Sequence, residues 1–418
     1  MKLKGFIDNV LHNNSAKVLF ANFISLSLLK AVSVIFPLIT MPYLSRVIGI
    51  DKFGKIAFAS AIMVFVETVT DFGFNYTATR DVAQHRDDKK YVSQYFSNVL
   101  WAKVFLMICS FVIFTIIVYN IPFLYNERLL LFLTFLYIPG HILFPEWFFQ
   151  AMEQMKYITI MNVCAKLCFI ALVFIVIRQK SDYIYQPLLT AIGFLVSGVI
   201  SMYVVVRKFG ITIKYPSISG IYEMIKKGWN MFLCLIFPNL YSSLSVVLLR
   251  SFCGDTATGI YSSGQKFISL SDQLSQVVSR TFYPFLAIHI DKHELFVRIN
   301  FIISITASIC LFAFADLIVY IFYTPEFADS AMVIRIMSPG PVFLFLMNAY
   351  GNNYLVLRGY EYILRNIIIC SSVFGLILSL FLVRKYSYIG VSVTLVTIWA
   401  IRGIITWIYA SKIKKVSL

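Results

Sequence analysis

Twelve apolar stretches, each long enough to cross a lipid bilayer, leave this chain few ways to fold. They fall at about 18–48, 53–75, 92–119, 129–150, 157–177, 184–206, 229–250, 257–288, 296–322, 331–357, 363–383 and 389–411. A hydrocarbon core roughly 30 Å thick takes about 20 helical residues to span. Inside it every backbone N–H and C=O must find a protein partner, which helices supply within one segment. The expectation is an all-α polytopic membrane protein with 12 transmembrane helices. A chain of 418 residues that is 59% hydrophobic and only 13% charged excludes an ordinary soluble fold. The net charge of +16 lies in short loops between spans and forms no solvated patch, so membrane lipids are expected as partners and nucleic acid is not. No cleavable signal peptide is expected, because the first span leads into Pro37 and Pro42 without a small-residue cleavage site. Seven cysteines and five histidines show no metal-ligand spacing, so the expectation for metal is none.

Counting Lys and Arg in alternate connections orients the chain, since the cytoplasmic side is the richer one. One side holds twenty of the 36 basic residues and the other nine, so both termini are expected in the cytoplasm. Residues 1–17 carry apolar residues at helical spacing among lysines and read as a helix on the membrane surface. The longest connection, 207–228, places Ile218, Ile221, Tyr222 and Ile225 on one helical face and reads as an amphipathic cytoplasmic linker. It divides an N-lobe, residues 1–206, from a C-lobe, residues 229–418. Ordered echoes support duplication of a six-helix unit, giving two lobes related by pseudo-two-fold symmetry. Ile35-Phe36-Pro37 matches Ile236-Phe237-Pro238, Arg46 matches Arg250, His85 and Asp87 match His289 and Asp291, Pro139-Gly140 matches Pro339-Gly340, and Glu153 matches Glu361, at offsets of 200 to 208. Such a repeat points to a transporter with its site between lobes, and the Pro-Gly pairs to helix breaks at membrane depth.

Within the eighth span, Lys266, Ser269, Gln273, Gln276 and Arg280 sit at i, i+3, i+7, i+10 and i+14, one polar stripe along one helix. A cation in hydrocarbon costs roughly 2.5–3.5 kcal/mol on insertion scales, so it faces protein, water or an anionic ligand. The stripe is therefore read as lining a cationic path, against the alternative that each cation pairs with a buried carboxylate. Lys30, Lys266, Arg280, Arg335 and Arg402, with Gln273, are the candidate substrate-binding residues. Lys30 could instead pair with Glu67 or Asp71, and Lys103 could pair locally. Glu67 and Asp71 are four residues apart and share a helix face; with Asp272 they are candidates for ion coupling, unless they serve only as counter-ions. Shifted back by 204, the stripe falls on Ile62, Phe65, Val69, Phe72 and Tyr76, so cavity charge should be heavier on the second lobe. Trp147-Phe148-Phe149 is expected to face lipid or the interface. No cofactor is expected, and the absence of GxxxxGK[ST] argues against ATP, leaving protons, sodium or the membrane potential as energy sources.

Three stretches carry a resemblance: FPLITMPYLSRVIG at 36–49 followed by FGKIAFASAI at 53–62, DFGFNYTATRDVAQHR at 71–86, and PEWFFQAMEQMKYI at 145–158. Together they resemble the Wzx-type O-antigen flippases of the multidrug/oligosaccharidyl-lipid/polysaccharide exporter superfamily. That resemblance implies a V-shaped pair of lobes around a central cavity in the bacterial inner membrane. It also implies a multi-pass protein, not an enzyme, that moves undecaprenyl-pyrophosphate-linked O-antigen oligosaccharide from the cytoplasmic to the periplasmic leaflet by alternating access. An O-antigen polymerase and a chain-length regulator would be its partners. A pyrophosphate entering a low-dielectric cavity needs cations in place of lost water, which suits the stripe. Two alternatives stand beside this reading. A multidrug/cation antiporter should have a mostly acidic cavity; a membrane polymerase or glycosyltransferase should have a large extracytoplasmic loop, where only Glu326 with Asp329 offers an acidic pair.

Overall fold

The structure, a computed structural model, describes the backbone of residues 14–288 and 293–416, and within it the side chains of residues 32, 34–276, 278, 279 and 293–414. Among the described residues every regular element is helical. Nine helical stretches among the described residues are apolar and long enough to cross a membrane. Three of them are double length: Val34–Ala83 with 50 residues, Ile218–Gln276 with 59 and Glu361–Lys414 with 54. A straight helix of 58 residues, the length of Asn14–Asp71, would run about 87 Å, far beyond a core of roughly 30 Å. Local breaks interrupt these runs. Gly49 (φ 73°, ψ 176°), Gly254 (φ 86°, ψ −175°) and Ser387 (φ 52°, ψ −133°) each leave helical geometry. All three lie in connections expected between spans, which shrink to single-residue breaks. Pro37 and Pro42, by contrast, stay inside the helix, with Thr40 and Ser45 hydroxyls donating to the carbonyls of Pro37 and Pro42.

The chain divides into two compact units. The first comprises residues 1–36, 66–175 and 187–232. Its core joins two of the sequence motifs: Phe72, Phe74, Phe96, Trp147, Phe148 and Phe149 are all buried together. The expectation that Trp147-Phe148-Phe149 faces lipid is thereby corrected, for these rings are at most 2% exposed and pack on Phe96 and Phe209. Thr79 Oγ1 donates to the Trp147 carbonyl at 3.2 Å, tying one motif to the other. The lipid-compatible face lies elsewhere, on the Lys89–Asn120 helix, where Ile113 and Ile116 are more than half exposed. The stretch 207–228 falls into two parts. Residues 208–217 are non-helical for most of their length and are fastened to the Lys89–Asn120 helix, with Lys214 N donating to Ser97 Oγ at 2.9 Å and Trp101 Nε1 donating to the Lys214 carbonyl at 2.9 Å. Helix then begins at Ile218 and runs unbroken to Asn239, so the amphipathic segment is the first turns of a longer helix.

The second unit comprises residues 37–65, 176–186 and 233–418. In it the breaks at Gly49 and Gly254 precede two glycines that pack reciprocally. A Cβ on Gly54 would collide with the Asp255 carbonyl, and one on Gly259 with the Ile50 carbonyl. Polar links surround this crossing: Thr256 Oγ1 donates to Asp51 at 2.6 Å, Arg250 pairs with Asp255, and Ile50 N donates to Glu326 at 3.4 Å. The segment around Pro339-Gly340 is broken as expected, into Ser330–Met337, Gly340–Leu346 and a π-helix at Met347–Val356.

Candidate functional site

A charged cluster sits at the end of a helix in the first unit. The helix containing Glu67 and Asp71 stops at Asp71 because Phe72 (φ 44°) and Gly73 (φ 78°) both take left-handed backbone. For a phenylalanine that conformation is costly, and it is held by a parallel stack on Phe232 with ring centroids 4.4 Å apart. Spacing of four residues puts both carboxylates on one face. Opposite them lies the six-residue helix Tyr137–Ile142, where the same spacing aligns Tyr137 and His141. Gly140 lets this short helix approach its neighbour, since a Cβ there would lie 2.5 Å from the Leu195 amide nitrogen.

The resulting contacts are specific. Tyr137 Oη donates to Glu67 Oε2 at 2.6 Å. His141 Nε2 lies 3.2 Å from Asp71 Oδ2 and 3.7 Å from Glu67 Oε1. Both neighbours are carboxylate oxygens, so this nitrogen carries the ring proton. Lys103 Nζ reaches Asp71 Oδ1 at 2.7 Å with its side chain only 4% exposed. Its charge also complements the helix C-terminus, where unpaired carbonyls carry partial negative charge. Glu67 is the open member, its side chain 37% exposed. Glu67, Asp71 and His141 offer donor atoms within 4.8 Å of one another, a separation a small cation would accept. Lys103 already places one positive charge on Asp71, which disfavours a second multiply charged one. The arrangement can hold a proton between His141 and Asp71, with Glu67 as the nearby member most open to its surroundings.

In the second unit the polar stripe is helical through Ser243–Ile288, apart from the break at Gly254. Lys266 is exposed, and among the described residues it makes no hydrogen bond or ion pair. Gln273 Nε2 donates to the Ser269 carbonyl at 3.4 Å, and Gln276 Nε2 to Asp272 Oδ2 at 2.7 Å. Ser275 and Ser279, off the stripe, are buried against Asn300 and Asn353. The side chains of Lys30 and Arg280 lie outside the described residues. Arg335 pairs with Asp316. Arg402 is 8% exposed and donates to Tyr241 Oη at 2.8 Å. Of the described cations proposed for substrate, Lys266 alone is exposed without a carboxylate or phenol partner. The acidic pair of interest to an enzyme is engaged locally: Glu326 accepts from Ile50 N, and Asp329 Oδ2 from Tyr388 Oη at 3.3 Å.

Sequence reasoning passed over His141 and Tyr137. The usable signal was their spacing of four beside Pro139-Gly140, which matches the spacing of Glu67 and Asp71. A search for metal-ligand spacing along the chain misses donors that two distant segments contribute.

Comparison with known proteins places this architecture. A protein of Escherichia coli (strain K12) named "Putative O-antigen transporter" is 26% identical over 392 residues, covering 92% of this chain and 94% of the relative. One of the same name from Shigella dysenteriae is 24% identical over 386 residues, covering 90% and 95%. Among solved structures, the lipid II flippase MurJ in an inward closed conformation superposes with a TM-score of 0.77 at 12% identity, over 94% of this chain and 87% of that one. A MOP superfamily transporter from Pyrococcus furiosus gives 0.64 at 14% identity, over 96% of both chains. These relatives are named as transporters and flippases rather than enzymes, and their fold is shared by this multi-pass membrane chain. The family described as polysaccharide biosynthesis protein matches residues 19–289, and the chain belongs to that family.

Proposed function

We propose that this protein is a flippase for lipid-linked O-antigen oligosaccharide, carrying undecaprenyl-pyrophosphate-linked repeat units from the cytoplasmic to the periplasmic leaflet of the bacterial inner membrane by alternating access. The observation that carries the reading is Lys266. An exposed lysine with no acidic partner among the described residues, on a polar face inside an apolar span, is a standing cost that an anionic substrate relieves. Gln273, one stripe position from Ser269, and the Arg280 backbone extend the same face. Arg335 and Arg402 have partners of their own and would join only by exchanging them. Counting each double-length stretch as two crossings gives twelve, in two six-helix lobes with both termini cytoplasmic. Breaks at Gly49 and Gly254, 205 positions apart (254 − 49), support the repeat. The O-antigen polymerase and chain-length regulator are proposed to act beside it on the delivered units.

Each negative charge leaving a negative cytoplasm gains about 2.3 kcal/mol per 100 mV when it crosses the full field. The Glu67–His141–Asp71 cluster is proposed to add proton coupling, with Glu67 as the open end. Sodium, and a part for Asp272, are the competing versions. A cation antiporter is less well supported, because Asp71 already has Lys103 and the stripe is cationic.

The test is leaflet-resolved accessibility of undecaprenyl-pyrophosphate-linked sugar in vesicles holding the native chain, Lys266→Ala or Lys266→Arg at matched amounts. Lys266→Ala should slow translocation by about tenfold or more, as expected for a lost charge-assisted contact, and Lys266→Arg should restore most of it. Equal rates in all three would remove Lys266 from the path. In the same vesicles an imposed pH gradient should change the native rate but not that of Glu67→Gln; a sodium gradient acting instead would reassign the coupling ion.

A further inference from the structure

The second unit contains a cavity of about 530 Å³, lined by residues including His293, Arg298, Tyr350, Tyr354, Ser411 and Lys414, that the transport reading does not use. Its volume lies within the roughly 300–1,000 Å³ of ordinary small-ligand sites. Three helical segments build it: the start of His293–Ala313, the π-helix Met347–Val356 and the end of Glu361–Val416. Spacing of four puts Glu294 and Arg298 on one face of the first. The π-helix supplies a wall, as such insertions do at many binding sites. There the Ala349 carbonyl accepts a hydrogen bond from His293 Nε2 at 2.8 Å, which holds the imidazole between Tyr350 and Tyr354, at centroid distances of 5.4 and 5.0 Å.

Two features point to a ligand. Tyr354 is 2% exposed, and its hydroxyl is buried without a hydrogen-bond partner among the described residues. A buried phenol left unpaired is a cost that a bound acceptor would remove. Among the described lining residues the charge is positive on balance, with Arg298 and Lys414 beside Glu294. The Lys414–Glu294 pair, 2.5 Å long, is exposed on both sides, as weak surface pairs are. Two cations, three hydroxyls and an aromatic wall suit a phosphate group whose remainder is partly apolar. We propose that this cavity binds a phosphate ester, the headgroup of an anionic membrane lipid being the source its position at the ends of apolar helices favours. Lys414 then exchanges Glu294 for the phosphate, Arg298 adds a second charge-assisted contact, and Tyr354 donates its unused O–H.

The experiment uses the full chain in detergent and measures thermal stability against added dihexanoyl-phosphatidylglycerol, dihexanoyl-phosphatidylcholine or inorganic phosphate. Phosphatidylglycerol should stabilise saturably and phosphatidylcholine, which carries a compensating positive group, should not. Arg298→Gln should weaken the response about tenfold and Tyr354→Phe about threefold, while Glu294→Gln, which removes a competing anion, should strengthen it. These sites are exposed or lose a single hydroxyl, so the variants fold. Inorganic phosphate acting as well as phosphatidylglycerol would assign the site to a free phosphate. Equal responses to both lipids with no response to phosphate, or a phosphatidylglycerol response unmoved by all three variants, would overturn the proposal. None of these outcomes depends on whether the chain moves oligosaccharide.

Discussion

At the residue scale the ion pair of Lys103 and Asp71, 2.7 Å apart, joins two charges that the apolar surroundings would expel singly. Lys103 is nearly sealed, while Asp71 keeps His141 and Asn75 as further partners. Removing the acid therefore strands a buried ammonium, whereas removing the lysine leaves a carboxylate still hydrogen-bonded. Asp71→Asn is expected to cost about 3–5 kcal/mol, the usual penalty for breaking a buried pair from one side. Lys103→Met should cost less, and the double variant should recover most of the loss. Apparent Tm values of the four proteins in detergent form the cycle; losses that simply add would mean that the two groups are not coupled.

At the element scale two glycines of one hairpin separate backbone strain from crowding. Gly254 holds φ 86° and ψ −175°, a region only glycine enters freely, yet nothing lies within 4 Å of where its Cβ would be. Gly259, five residues on, is ordinary helix whose Cβ would strike the Ile50 carbonyl. Gly254→Ala should thus cost about 1–3 kcal/mol of backbone strain and little more. Gly259→Ala needs two helices to move apart and should be the worse of the two. Yields of monodisperse protein and their Tm values decide this, and a milder effect at Gly259 would mean that the crossing is soft. Gly140 is the same device in the first unit, since a Cβ there would lie 2.5 Å from the Leu195 amide nitrogen.

For the whole molecule, the crossing count is the prediction with the widest consequence. With twelve crossings, cysteines introduced in the non-helical stretch 208–217 and at Lys412 should label from the cytoplasmic side, and one at Lys385 from the periplasmic side. Lys385 labelling from the cytoplasm would remove a crossing and, with it, the two-lobe scheme. The all-helical, multi-pass membrane class, the helical stripe and the connections where long helices turn were legible in the sequence, because they follow from hydropathy and the 3.6-residue period, with glycine's backbone freedom added at Gly49 and Gly254. Each is a property of one segment in a solvent without hydrogen bonds to offer. Tertiary structure alone decided that Trp147, Phe148 and Phe149 face inward, that Arg335 has a carboxylate while Lys266 does not, and that Tyr137 and His141 meet Glu67 and Asp71. Those outcomes, the Lys266 one among the described residues, depend on which surfaces meet after the helices have formed. In a membrane chain an inward-facing aromatic run and a lipid-facing one have the same composition, and a buried charge looks the same until its partner arrives from a distant segment.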